Sequence, residues 1–199
     1  METIIFATTN ENKLKEIRQI LEGLPYEIKS MKEMGIDVEI EENGKTFEEN
    51  ATIKAKAIMD LTGCMVMADD SGLEVDYMDK KPGIYSARFL GEDTPYSEKN
   101  SYIIEKLKNA KEDERSARFV CAIALGRPGF PVVVKTGVME GRIHTCIAGE
   151  NGFGYDPIFY LPEYKMTSAE ISPEEKNAIS HRGKALRAMR DYLMDIMQK

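Results

Sequence analysis

Apolar residues along the chain fall into two patterns, short continuous runs and stripes at helical spacing. Thr3 to Thr8 is a short apolar run that predicts a buried first strand. The polar turn Thr9-Asn10-Glu11-Asn12-Lys13 follows it. A helix is expected from there to about Leu24, with Leu14, Ile17, Ile20/Leu21 and Leu24 on one face. Thr9 or Asn10 can cap it. Tyr26 to Ser30 predicts a second strand. Thr46-Phe47-Glu48-Glu49 has the spacing of a capping box, opening a helix to about Leu61 with Phe47, Ala51, Ile58 and Leu61 inward. Cys64 to Met67 predicts a buried strand that ends at Ala68-Asp69-Asp70-Ser71-Gly72, and Leu73 to Tyr77 alternates like an exposed one. A glycine-bracketed loop is expected over 82–91. A helix from Pro95 through Lys108 follows, with Tyr102, Ile103 and Leu107 inward. Arg118 to Leu125 and Pro131 to Val138 predict a hairpin joined by Gly126-Arg127-Pro128-Gly129. Ser172-Pro173-Glu174-Glu175 signals another helix start, and the last helix carries Leu186, Met189, Tyr192/Leu193 and Ile196/Met197 as its stripe. Helices before and antiparallel strands after predict a mixed sheet in one α/β domain over residues 1–199.

Composition narrows the function. With 42% hydrophobic and 31% charged residues, the 199-residue chain is an ordinary globular protein. Its net charge of −7 argues against nucleic-acid binding, which wants a basic face. No apolar run approaches a membrane span. Cys64, Cys121 and Cys146 are too few and too widely spaced for a disulfide framework or zinc site, so a reducing cytoplasm is expected.

Several polar residues sit where a folded core would not want them. Asp69 and Asp70 are adjacent carboxylates that repel each other. They are either part of a polar turn closing a strand or a site for a divalent metal and an activated water. Lys13 in a first helical turn opposes the helix dipole by a few tenths to about 1 kcal/mol, unless an anion lies there. It is either a solvated surface lysine or a phosphate ligand. Lys54 lies on the apolar stripe of its helix, so it must snorkel or meet an anion. His181 and Arg182 repeat the mismatch at the last helix start, with Lys176 just upstream. Residues 33–49 hold seven acids, either a solvated face or the source of a metal carboxylate. Gly152-Phe153-Gly154-Tyr155-Asp156 is either a glycine-rich turn or a place where a planar base meets aromatic rings and polar groups.

The ordered set Thr8-Thr9-Asn10-x-x-Lys13, Thr46-Phe47-x-x-Asn50-Ala51-x-x-Lys54-Ala55, Ala68-Asp69-Asp70-Ser71-Gly72-Leu73, Pro82-Gly83-Ile84-Tyr85-Ser86-Ala87-Arg88, Phe153 to Phe159 and Ser180-His181-Arg182-Gly183-Lys184 resembles the inosine triphosphate pyrophosphatase family, the dITP/XTP diphosphatases. The first turn reads Thr-Thr-Asn where many members have Thr/Ser-Gly-Asn. The resemblance implies a long mixed sheet flanked by helices, two lobes and a central cleft. It implies a Mg²⁺-dependent enzyme, usually a homodimer, that cleanses the nucleotide pool by hydrolysing ITP, dITP and XTP to the monophosphate and pyrophosphate. Carried over by residue, it makes Asp70 the general base and a metal ligand, with Glu41 the second metal carboxylate and Glu42 its neighbouring competitor. Asp69 supports from behind. Thr8, Thr9, Asn10, Glu11, Asn12, Lys13 and Lys54 would hold phosphates, and Ser71 would touch substrate. Phe153, Gly154, Tyr155, Asp156, Lys176, His181 and Arg182 would form the nucleoside pocket. Asp156 is further expected to accept from the ring N1–H that hypoxanthine has and adenine lacks.

Two other readings compete. A Maf-like nucleotide pyrophosphatase shares the chemistry with another base preference, but the Phe153 to Asp156 and Ser180-His181-Arg182 motifs argue against it. A non-catalytic nucleotide sensor has no need of a carboxylate pair beside the phosphates.

Overall fold

The structure, a computed structural model, describes residues 2–198, the side chain of Asn12 excepted. The elements run β1 (Glu2–Phe6), α1 (Glu11–Ile20), β2 (Tyr26–Ser30), α2 (Phe47–Thr62), β3 (Met65–Val75), β4 (Lys81–Pro82), α3 (Tyr96–Lys106), β5 (Ser116–Gly126), β6 (Val133–Ile143), β7 (Phe159–Leu161), β8 (Met166–Thr167), α4 (Pro173–Ile179) and α5 (His181–Met197). The strands form one mixed sheet in the order β2-β1-β3-β5-β6-β7-β8, with β4 pairing β3. β1 lies parallel to both β2 and β3, Phe6 pairing with Ser30 on one side and Met67 on the other. β6, β7 and β8 are antiparallel neighbours. The mixed α/β sheet expected from the pattern is the one formed.

The chain divides into two compact units: Met1–Asp70 with Cys121–Gly137 and His181–Lys199, and Ser71–Val120 with Val138–Ser180. The first unit packs Phe6, Ile17, Met67, Ile123, Leu186 and Met189 into its core. The second packs Leu73, Ile103, Leu107, Ile143, Ile158 and Phe159.

Local chemistry explains most boundaries. Thr46 caps α2 by accepting from the Glu49 N–H at 3.1 Å, and Gly63 ends it with φ 66°. Such an N-cap stabilises by about 1 kcal/mol. The Glu49 carboxylate accepts from the Lys45 N–H at 2.6 Å, one residue before the position the capping box predicts. Ser172 and Glu175 do form the reciprocal box, at the start of α4. Asn10 caps the first turn of α1, its Oδ1 accepting from the Lys13 N–H at 3.2 Å.

Four expectations need correction. α1 stops at Ile20, although Leu21 stays buried and Leu24 packs against the same core. Leu61, Tyr102 and Met197, assigned inward, are exposed because each lies at the margin of its stripe or the end of its helix. Leu73 and Val75 are fully buried rather than on an exposed strand. Most consequential, β3 does not end at Asp69: it runs unbroken from Met65 to Val75 through both aspartates, Ser71 and Gly72.

Candidate active site

The unbroken strand sets the geometry of the carboxylate pair. Successive side chains of a strand point to opposite faces. Asp69 and Asp70 therefore meet different helices, and each finds different company.

Asp69, 1% exposed, faces α1 and α5. Its Oδ2 lies 2.9 Å from Lys13 Nζ and 3.7 Å from Arg182 Nε. Arg182 is itself buried and holds Glu16 at 2.6 Å through Nη1. The positive groups at the starts of α1 and α5 thus meet carboxylates of the chain itself. Burial alone would push the Asp69 carboxyl upward. Lys13, Arg182 and Lys54 outweigh it and hold Asp69 well below the usual carboxylate range.

Asp70 faces α2. Its Oδ2 accepts from Asn50 Nδ2 at 3.1 Å, and its Oδ1 lies 4.0 Å from Lys54 Nζ. The same ammonium lies 3.2 Å from Glu42 Oε2. Burial pushes the Asp70 carboxyl up to about 6, reinforced by the charges of Glu42 and Asp69 and opposed by Lys54 and Asn50. Two adjacent carboxylates are driven apart, one fixed as an anion and one poised to exchange a proton near neutrality. That separation is the pattern by which paired acids divide roles.

Asn50 and Lys54, one helical turn apart, serve Asp70 together. The Asn50 Oδ1 accepts from the Gly44 N–H at 2.8 Å, so one buried amide ties the acidic segment to Asp70. Gly44 has to be glycine, since a Cβ there would meet Asn50 Oδ1 at 2.6 Å and Glu49 Cβ at 2.8 Å. Glu41 is exposed and makes no ion pair among the described residues, whereas its neighbour Glu42 reaches the lysine beside Asp70.

The chemistry of this donor set suits a hard divalent cation. Among the described residues, no three acidic, His or Cys side chains gather closely enough for an all-protein cage. Mg²⁺ characteristically takes one or two carboxylates and completes its shell with phosphate and water. Asp70 and Glu42, sharing one lysine ammonium, supply such a pair.

Thr8, Thr9, Asn10 and Glu11 line an open pocket of about 430 Å³ with Ser30, Lys32 and Asp37, and neither Asp70 nor Lys54 is part of its lining. The predicted contact of Asn12 involves a side chain outside the described residues. His181 is buried at the start of α5, where its carbonyl oxygen would lie 2.1 Å from a Cβ on Gly137. Ser71, half-buried, opens the part of β3 that belongs to the second unit.

The second unit gathers Phe153, Asp156 and Lys176. Asp156 is 2% exposed; it accepts from Phe153 N–H at 2.8 Å, Ser168 hydroxyl at 2.7 Å and Lys176 ammonium at 2.6 Å. Lys176 Nζ also sits 5.1 Å from the Phe153 ring centre. The Asp156 carboxylate is thus committed to holding its own loop and the lysine, which leaves it little capacity to read an N–H from a base. Gly152 has φ 75°, and a Cβ there would meet Asp156 Oδ2 at 2.2 Å, so the loop closes only over glycine.

Sequence reasoning left Glu16 and Ser168 without a role, because their partners lie 166 and 12 residues away. Asn50 carried a usable signal, sitting four residues before Lys54 on the same helical face.

Comparison with known proteins places the whole arrangement. The Ham1 family profile matches residues 4–192. A dITP/XTP pyrophosphatase of Clostridium perfringens is 47% identical over 204 residues, covering 100% of both chains. One from Bacillus subtilis is 44% identical over 193 residues, 97% of this chain and 98% of the relative. Among solved structures, a HAM1 protein from Coxiella burnetii matches with a TM-score of 0.90 at 41% identity, covering 98% of this chain and 100% of that one. From the β1 strand to the last helix, this chain belongs to the Ham1 family, the inosine triphosphate pyrophosphatase family that its motifs resemble.

Proposed function

We propose that this nucleoside triphosphate pyrophosphatase hydrolyses ITP, dITP and XTP to the monophosphate and pyrophosphate. The observation that carries the reading is the geometry of the carboxylate pair in a chain of this family: Asp69 is held by Lys13 and Arg182 on one face of β3, while Asp70 meets Asn50 and Lys54 on the other, with Glu42 on the same lysine. Asp70 takes a proton from a water directed at the α-phosphorus; the new P–O bond forms as the bond to the bridging oxygen breaks, and pyrophosphate leaves. Proton transfer of this kind contributes typically 10²–10⁴-fold. Lys13 and Lys54, with Thr8, Thr9, Asn10 and Glu11, receive the phosphates. Asp69 keeps Lys13 and Arg182 in place. A bound Mg²⁺, held by Asp70 and Glu42, would supply charge neutralisation for the triphosphate and the departing pyrophosphate. The geometry favours Glu42 over Glu41 for this, since Glu42 shares Lys54 with Asp70.

Phe153, Gly154, Tyr155 and Lys176, with His181 and Arg182, recognise the base. Donors such as Arg182 bond the O6 of hypoxanthine and leave the amino group of adenine facing another donor. A site built on such bonds discriminates by up to roughly 10⁴–10⁵. The reading extends to a homodimer, as the family resemblance implies, and to the cytoplasm, as the cysteine usage suggests. The three cysteines are free, in keeping with a reducing compartment, and no helix among the described residues is long and apolar enough to cross a membrane.

A nucleotide panel with Mg²⁺ tests the proposal, with pyrophosphate and orthophosphate measured separately. ITP, dITP and XTP are expected to be turned over far faster than ATP, GTP, dTTP and UTP, with pyrophosphate as product. Preference for dTTP or UTP would indicate the Maf-like activity, and ITP binding without product would indicate a sensor.

A further inference from the structure

The second unit contains a lysine that the chemistry above does not use. Lys99 on α3 is 1% exposed, yet no carboxylate lies within 4.0 Å of it among the described residues. A buried ammonium normally demands an anion. Lys99 instead donates to the Ala87 carbonyl at 2.6 Å and stands 4.9 Å from the centre of the Tyr96 ring. Burial without a counter-charge lowers its affinity for the proton. The next residue, Asn100, is also buried and donates through Nδ2 to the Gly154 carbonyl at 3.1 Å. The orientation of its amide is fixed, because exchanging its two ends would turn oxygen against oxygen.

These two bonds reach separate segments. Ala87 belongs to the stretch after β4, and Gly154 to the loop that carries Phe153 and Asp156. A third bond links those segments to each other, the Tyr155 hydroxyl donating to the Ser86 carbonyl at 2.7 Å. The Tyr96 and Tyr155 rings meet edge to face at 5.2 Å. Three carbonyls that belong to no strand ladder (Ser86, Ala87 and Gly154) are thus each taken by a side chain from another segment. The result is a closed triangle of α3, the 86–87 segment and the 154–155 segment, with Ser86, Asn100 and Tyr155 all buried.

From this we propose that Lys99 and Asn100 are positioning residues for base recognition: together they clamp the Gly154 loop, and so set the placement of Phe153 and, through Asp156, of Lys176. Neither touches substrate. The inference rests on the reading that Phe153 and Lys176 meet the base. It goes beyond that reading in assigning the loop's placement to a buried cation on α3. A charged donor is suited to this task, since hydrogen bonds from ionised groups are roughly twice as strong as neutral ones.

The test uses Lys99→Met, which keeps the length and removes the ammonium, and Asn100→Asp, which keeps the shape and sets a carboxylate against the Gly154 carbonyl. Loss of binding that is equal in ground and transition states raises KM and spares kcat. Each variant is expected to raise KM for ITP about tenfold, the worth of one lost hydrogen bond, with kcat nearly unchanged. The inhibition constant of inorganic triphosphate, which has no base, should stay at the wild-type value. Phe153→Ala is the reference. If it raises KM for ITP while both clamp variants match wild type, the clamp is refuted and base recognition stands. If Phe153→Ala also leaves KM unchanged, the reading of the loop has failed first. A parallel loss of kcat and of triphosphate inhibition in the clamp variants would assign the pair to general stability and overturn the proposal. Should Lys99→Met not fold, the Asn100→Asp result decides alone.

Discussion

Replacing Asp70 by Asn should stabilise the metal-free protein while disabling the enzyme. The carboxyl is raised from 3.8 to about 6 in the folded chain, so the fold favours its protonated form. For an acid with a raised folded pKa, the native state binds more protons than the unfolded state between these values, and stability falls as pH rises through them. The penalty is absent below about pH 4 and complete above about pH 7. At 1.36 kcal/mol per pKa unit, a shift of about 2 units costs about 3 kcal/mol. Asn carries no charge to desolvate, and its Oδ1 can still accept from Asn50 Nδ2. In EDTA at pH 8 the Asp70→Asn protein should therefore exceed wild type by about 3 kcal/mol. For a chain of this length that is roughly 6–12 °C in Tm. The difference should shrink to nothing by pH 4. Thermal and urea melts of both proteins across pH 4–8 measure it. Added Mg²⁺ should raise the melting temperature of wild type more than that of the variant, because only binding to the native state stabilises. An Asp70→Asn protein less stable than wild type at pH 8, or a difference that ignores pH, would refute the assignment of Asp70 as a desolvated carboxylate.

Two further substitutions probe Asp69 and the packing of β6 against the start of α5. Asp69→Asn should act in the opposite sense, because a depressed carboxyl contributes stability that is full above its unfolded pKa and is lost only gradually as pH falls toward its lower folded value; it should cost about 3 kcal/mol at neutral pH, the usual loss when one partner of a buried ion pair is removed, and chemical denaturation should show that cost at pH 7 and a partly reduced one at pH 3. Gly137→Ala would bring a Cβ within 2.1 Å of the His181 carbonyl and 2.8 Å of the Ala185 N–H, so α5 must shift at its start. A loss of about 1–3 kcal/mol and weakened ITP binding through Arg182 are expected, read by melts and by KM.

Much of this site was legible in the sequence because its residue types are misplaced by ordinary rules. A lysine on an apolar helical face and cations at two helix starts each signalled a missing anion. The structure provides those anions from within the chain: Asp69 for Lys13 and Arg182, Glu42 and Asp70 for Lys54. The strand through Asp69-Asp70-Ser71-Gly72 was not legible. Those residues favour a turn by local preference; β3 instead runs on as a strand between β1 and β5, while α1, α2 and α5, distant in sequence, supply the partners that meet the two aspartates. Glu41 and Glu42 cannot be told apart by composition; only the fold of the segment, pinned through Gly44 to Asn50, turns one of them toward Lys54. Lys99 gave no signal either, since a lysine in a polar helix looks like surface until the helix is packed.

The most direct test of the central claim is hydrolysis of ITP in ¹⁸O-labelled water with Mg²⁺, followed by mass spectrometry of both products. Attack of a water activated by Asp70 on the α-phosphorus places the label in the monophosphate and leaves the pyrophosphate unlabelled. Label in pyrophosphate, or release of labelled orthophosphate, would contradict it.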